Sequence, residues 1–287
     1  MEFSGRTWRP PYERYTPIVE ATAGCAWGRC TFCTLFCEER FSVGRLDRFE
    51  RDLDEVKRFV PHARRLWLTG GSPFQMSFRQ LEERAMAVWD RLIKCQSIAM
   101  FASVRDIARK SDEELRRLRA LHVNGLTLGM ESANDEVLEL AGKGYGRADV
   151  LAQCRRLDAA GIEYNLIYLT GLAGRGRGRH NARTTAEVLN RLNPRILEIS
   201  SLELMPGSEL ARRTAAGEFA PASAAERIDE LRVLVEELQL RVHLEASSQT
   251  NPLPLVGMLP YDKPLLLAAL EEGAARARAT PAWSPAG

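Results

Sequence analysis

The stretch "RLWLTGGSPFQMSFRQLEERAMAVWDRLIKCQSIAMFAS", Arg65 to Ser103, holds an apolar run, an amphipathic segment and a second apolar run. "RLWLTGG" (65–71) has the length and glycine ending of a strand, and "SIAMFAS" (97–103) reads as another. Between them "FRQLEERAMAVWDRLIK" (78–94) has the amphipathic pattern of a helix. A helix between two strands implies a parallel pair joined by a crossover.

The pattern repeats outward in both directions. Upstream, "TPIVEATAG" (16–24) reads as a strand and "RFERDLDEVKRFV" (48–60) as a helix. Downstream comes helix "SDEELRRLRAL" (111–121), with Ser111 as cap and Glu114 three residues on. Strand "GLTLGME" (125–131) precedes helices "NDEVLELAG" (134–142) and "RADVLAQCRRLDAAG" (147–161), the second closed by Gly161. Strand "EYNLIYLTG" (163–171), helix "NARTTAEVLNRLN" (181–193) and strand "RILEISSLEL" (195–204) complete the series. Six such alternations predict an α/β chain, a partial (β/α)6 TIM-type barrel over residues 1–204, with its chemistry at the C-terminal ends of the strands. Residues 205–287 are expected as a short C-terminal extension packing on the barrel. It comprises helix 224–238, strand 241–247, a Pro-rich loop "SQTNPLPLVGMLPYDKP", helix 263–278 and a frayed end over 280–287.

Composition bounds the function. The 287 residues are 45% hydrophobic and 27% charged, as in a globular protein with a sizeable core. The formal net charge of +2 makes no case for a nucleic-acid surface or a polybasic membrane anchor. No apolar run reaches the roughly 18 residues of a membrane span, and the N-terminal stretch lacks the apolar run of a signal peptide. A cytoplasmic protein is expected, where clustered cysteines are metal ligands or catalytic thiols rather than disulfides.

The chain places four of its six cysteines, Cys25, Cys30, Cys33 and Cys37, in "ATAGCAWGRCTFCTLFCEERF" (21–41). The first three have Cys-x4-Cys-x2-Cys spacing and follow a strand. Zinc takes four ligands in a tetrahedron, commonly as two separated Cys-x2-Cys pairs, and only one such pair is present. A [4Fe–4S] cluster also takes thiolates and can work with three protein ligands and one open iron. Gly24 and Gly28 let the loop wrap closely and leave amides free for sulfur. Cys95 and Cys154 sit alone in helical patterns and read as small buried hydrophobes. The four histidines show no metal-ligand spacing.

"GCAWGRCTFC" resembles the cluster loop of the radical S-adenosylmethionine (SAM) superfamily. Most members have Cys-x3-Cys-x2-Cys, and this loop departs by one inserted residue. It is similar to a subgroup with Cys-x4-Cys-x2-Cys loops, in which an "RPP" element, here Arg9-Pro10-Pro11, precedes the first strand. The likeness extends through "GMESANDEVL", "GLAGRGR", "LMPGSEL" and "NPLPLVGMLPYDK". It implies that Cys25, Cys30 and Cys33 bind a [4Fe–4S] cluster whose open iron chelates SAM. Reductive cleavage would give a 5′-deoxyadenosyl radical that abstracts hydrogen from a small organic substrate. The electron donor would be a flavodoxin or ferredoxin.

The resemblance also implies roles for individual residues. Phe32 would face the adenine. Gly70, Gly71 and Ser72 would hold the methionyl amine, although Ser72 stands where the family usually has an acid. Glu131 would accept from the ribose hydroxyls, assisted by Ser132. Leu169 and Leu172 would flank the base. One of Arg175, Arg177 and Arg179 in "GRGRGRH" would supply a cation to SAM or substrate. Cys37 is the candidate catalytic residue outside the cluster: a substrate-facing hydrogen donor, a displaceable ligand, or a structural thiol. Two rival readings stay open, a zinc enzyme using all four clustered cysteines and a non-catalytic iron–sulfur carrier.

Overall fold

The computed structural model describes residue 1 and residues 3–279. The frayed end expected over 280–287 lies outside the described residues. Strand β1 (Ile18–Glu20) leads into a two-residue strand, β2 (Thr22–Ala23), which pairs antiparallel with β3 (Ser42–Val43). This small clip joins the two ends of the cysteine loop. Helix α1 (Leu46–Phe59) follows, then β4 (Arg65–Thr69), α2 (Phe78–Arg91), β5 (Ser97–Ala102), α3 (Val104–Ala108) and α4 (Asp112–Ala120). Next come β6 (Val123–Glu131), α5 (Asp135–Leu140), α6 (Arg147–Ala160), β7 (Tyr164–Thr170), α7 (Gly178–Leu189) and β8 (Ile196–Ser201). The chain continues through α8 (Glu209–Ala215), α9 (Ala224–Glu237), β9 (Val242–Glu245), β10 (Val256–Leu259) and α10 (Lys263–Ala279).

Among the described residues one eight-stranded sheet runs β1-β4-β5-β6-β7-β8-β9-β10. Every pair from β1 to β9 is parallel. Chain order equals spatial order, so the sheet winds one way throughout, as a barrel does and a doubly wound sheet does not. The architecture is α/β, a partial TIM-type barrel. β9 carries the parallel sheet one strand beyond the six expected, and β10 closes it as an antiparallel edge. β10 lies within the Pro-rich stretch read as a loop. "VGML" lies between Pro254 and Pro260 and contains no proline itself, so its amides can pair, and an edge position tolerates the flanking prolines.

Serine caps set helix entries. Ser77, Ser103, Ser111 and Ser223 each form a reciprocal capping box, Ser111 with Glu114 as its spacing predicts. Gly161 ends α6 in the left-handed conformation at φ 70°. Strand residues alternate in role. Leu126, Leu128, Leu166, Tyr168, Leu197 and Ile199 join the helices' apolar faces in the main core, which also takes Cys95 and Cys154. Their neighbours Thr127, Asn165 and Glu198 are buried polar residues. Tyr12, from the segment before β1, reaches in to bond Thr127 Oγ1 at 3.0 Å, and Asn165 donates to the same hydroxyl at 3.3 Å. The following Glu13 is buried and pairs with Arg65 at 2.6 Å, fixing the segment at the start of β4.

Candidate active site

A cavity of about 280 Å³ opens at the C-terminal ends of the strands. Cys25, Cys30 and Cys33 border it, while Cys37 is exposed and lies outside its lining. The loop that carries them is docked, not free. The Thr31 amide donates to Ala141 O at 3.1 Å, and the Thr31 hydroxyl donates to Leu140 O at 2.8 Å. Trp27 Nε1 donates to Gly142 O at 2.8 Å, and its ring carries the Arg105 guanidinium 3.8 Å above the centroid. The Cys33 amide donates to Cys30 O at 3.2 Å, which sets the turn between those two thiols.

The glycine pair after β4 allows the loop to sit close. Gly71 N donates to Gly24 O at 2.9 Å, and a Cβ on Gly71 would stand 2.6 Å from that oxygen and 2.8 Å from Cys25 Cβ. Gly70 has φ 138°, and its Cβ would stand 2.5 Å from Thr22 O. Gly71 borders the cavity; Gly70 forms the support behind it. Ser72 also borders the cavity and donates to the Asp106 carboxylate, which in turn accepts from the Ser103 amide at 2.9 Å.

Burial pushes the Cys30 thiol up against the pull of Lys143, and burial likewise pushes Cys33 up to about 11. Uncompensated, these thiols stay protonated, so thiolates here need a bound metal centre to hold their charge. The Leu35 amide is aimed at the Cys33 sulfur, as donors around iron–sulfur clusters are. Among the described residues no three His, Cys, Asp or Glu side chains converge tightly enough for a single ion. Three thiols spread around a shared cavity fit a multi-iron cluster, and the four-thiolate set that the zinc reading needs is not assembled.

Glu131 ends β6 at φ 65°, beside a register shift against β7. A non-glycine residue in this region is strained and persists only where its surroundings fix it. The fixing partner is Lys143, whose Nζ lies 3.3 Å from Glu131 Oε1, both side chains being buried. Burial alone would lower Lys143; Tyr145, Cys30 and Glu131 around it hold it well above its usual value.

Other residues singled out from the sequence lie elsewhere. Ser132 is fully buried, donates to Asn181 Oδ1 at 2.6 Å and accepts from the Asn134 amide, so it serves the entry to α5. Leu169 and Leu172 fill a small apolar cluster with Val137, Ala141 and Phe219. Phe32 packs on that cluster and also borders the cavity, linking the two. None of Arg175, Arg177 and Arg179 reaches the cavity. Arg179 pairs with Asp229 at 3.0 Å and Gly176 N donates to Glu226, because this segment packs against α9. The cations at the cavity are Arg105, Arg109 and Lys143. The two arginines follow β5 in "FASVRDIAR", where the rule that strand ends carry the chemistry points to them. Glu198 was also missed. A lone charge in the apolar strand "ILEISS" is its signal, since a buried charge needs a reason.

The family model of the radical SAM superfamily matches residues 19–189, more than half of the chain, and the chain belongs to that superfamily. Its enzymes use a [4Fe–4S] cluster and SAM. The heme chaperone HemW of Bacillus subtilis is 27% identical over 149 residues, which cover 50% of this chain and 39% of that protein. HemW of Lactococcus lactis is 26% identical over 144 residues, covering 48% and 38%. The chain thus spans less than half the length of these relatives. Coproporphyrinogen III oxidase HemN from Escherichia coli, a radical SAM enzyme, superposes with TM-score 0.57 at 19% identity over 77% of this chain and 52% of that one. The radical SAM methyltransferase TsrM from Kitasatospora setae gives 0.57 at 17% identity over 70% and 39%. These structures share the fold.

Proposed function

We propose that the chain reductively cleaves SAM and abstracts hydrogen from a small organic substrate. The observation that carries this reading is that Cys25, Cys30 and Cys33 border one cavity at the strand ends while Cys37 stands apart. Cys25, Cys30 and Cys33 would hold the cluster as thiolates, and no fourth cysteine borders the cavity. When bound, cluster and SAM supply a 5′-deoxyadenosyl radical.

The chain's own residues bind and orient. Gly71 and Ser72 offer backbone groups to the methionyl end, the Ser72 hydroxyl being held by Asp106. Glu131, set by Lys143, accepts from the ribose, and Phe32 lies along the base. Gly70, Ser132, Leu169 and Leu172 act from behind, holding these groups in place. Trp8, Trp27, Phe32 and Phe36 give the cavity apolar walls that exclude water. Cys37 acts outside the cluster. The electron comes from a flavodoxin or ferredoxin in the cytoplasm. No nucleic acid and no membrane enters this reading, because a net charge of +2 makes no case for a polyanionic surface.

Anaerobic reconstitution followed by dithionite and SAM tests this. About four irons per chain and slow release of 5′-deoxyadenosine are expected. One tightly bound zinc without iron uptake would sink the reading, and methylthioadenosine as the product would point to cleavage of another C–S bond.

A further inference from the structure

Strand register sets Gly129, Ile167, Glu198 and Glu245 side by side on β6, β7, β8 and β9. The first three border the cavity. Glu198 is 7% exposed, and its Oε2 has no hydrogen-bond partner. The Tyr12 hydroxyl stands beside the carboxyl without relieving that oxygen. The neighbouring acids are occupied. Glu245 accepts from the Ser247 amide at 3.3 Å and lies 3.4 Å from His243 Nε2, and Glu131 holds Lys143. Buried polar atoms are almost always paired, so an unpaired carboxylate oxygen on a side chain of the cavity wall marks a place for a donor that arrives from outside.

The chemistry of that donor follows from charge. Glu198 lies within electrostatic reach of Glu131 and Glu245, and burial followed by those acids pushes its carboxyl up to about 7. Two of the cavity's cations are committed: Lys143 to Glu131, and Arg105 to the Trp27 ring and Gly144 O at 3.2 Å. Arg109 stands beside the Gln75 amide, on the β5 side of the cavity. A positively charged donor balances Glu198, the acid of the three that lacks a partner; a neutral or anionic one does not. Glu198 also sits on β8, four strands round from β4, whose end carries Gly71 and Ser72. It therefore faces the half of the cavity left to the substrate.

We infer that Glu198 receives an ammonium group, and that the substrate is a small aliphatic amine entering nitrogen first. Ile167 beside it offers an apolar wall to the chain behind the nitrogen, and the space beside Gly129 is taken by the Glu131 carboxylate, which bounds the pocket on that side. This rests on the radical SAM reading above and names its substrate class.

Three probes of one shape test it: n-butylamine, 1-butanol and butyrate, each titrated by calorimetry into anaerobic protein carrying cluster and SAM without reductant. The amine should bind at least about tenfold tighter than the alcohol, as a charge-assisted bond requires, and butyrate weakest of all. Glu198→Gln should remove the amine's advantage, while Glu245→Gln keeps it. Equal binding of amine and alcohol to the wild type overturns the inference, with no variant needed. So does undiminished amine binding in a Glu198→Gln protein whose circular dichroism is native. Iron content and 5′-deoxyadenosine release of the wild type are measured in parallel. A chain with both and no amine preference overturns only the substrate class; a chain with neither overturns the reading beneath it.

Discussion

On the β4 side of the cavity the backbone makes the shape. Gly70 and Gly71 close on Thr22 and Gly24, and the Ser72 hydroxyl is already spent on Asp106. On the β8 side, side chains make it: Ile167 gives an apolar wall and Glu198 an acid with one oxygen unpaired. A wall of backbone presents the same groups to whatever reaches it, which suits a cofactor bound the same way at every turnover. A wall with one unpaired charge selects among visitors, because only a matching ligand repairs it.

The sharpest way to break this comparison is to remove the thiols. Alanine at Cys25, Cys30 and Cys33 should abolish iron uptake and the broad visible absorption, read by iron assay and spectroscopy. Next in size is Glu131→Gln. It strands the buried Lys143, at a cost of about 3–5 kcal/mol, and should weaken SAM binding about ten- to a hundredfold. Pairing it with Lys143→Met should restore the melting temperature but not the SAM affinity; recovery of both would make Glu131 a structural residue only.

Gly71→Ala attacks the backbone wall directly, because the new methyl meets Gly24 O and Cys25 Cβ. A loss of about 1–3 kcal/mol is expected by denaturant titration, with fewer irons per chain. Native stability and full iron would mean that this wall yields easily. Glu198→Gln probes the opposite wall through pH. The folded carboxyl sits at about 7 against 4.5 unfolded, so the native state holds the proton more tightly. Its ionisation costs nothing below 4.5 and its full amount above 7. The variant should therefore match the wild type near pH 4.5 and exceed it by about 1–3 kcal/mol at pH 8. A gap independent of pH would place the titration elsewhere. Smallest of all is Cys37→Ala. An exposed thiol outside the cavity should leave iron content whole and stability within about 0.5 kcal/mol. Loss of a quarter of the iron or more would make Cys37 a ligand.

Legibility in the sequence follows the same division. The barrel could be read because strand and helix periods alternate over most of the chain, and the Ser111–Glu114 box shows how local such signals are. The cysteine loop and the glycine pair could be read because spacing and backbone freedom are local properties. Lys143 could not: it lies between two glycines after α5, and only the fold brings it to Glu131. The arginines of 175–179 misled for the complementary reason. A basic glycine-rich run looks like a ligand site until α9 supplies Glu226 and Asp229 to meet it. Strand β10 was hidden because flanking prolines dominate the local pattern, while its pairing partner lies upstream in β9.

The β2–β3 clip ties the two ends of the cysteine loop by backbone pairing alone. Closing a free segment of this length costs about 2–3 kcal/mol of chain entropy, and here folding of the barrel has already met that cost. The loop between β2 and β3, residues 24–41, is held to the rest of the barrel by a few further bonds, at Gly24, Trp27 and Thr31 among others. With its ends pinned in this way, the loop should take up iron and sulfide again after oxidative loss of the cluster without the barrel unfolding, so that visible absorption returns while circular dichroism stays constant.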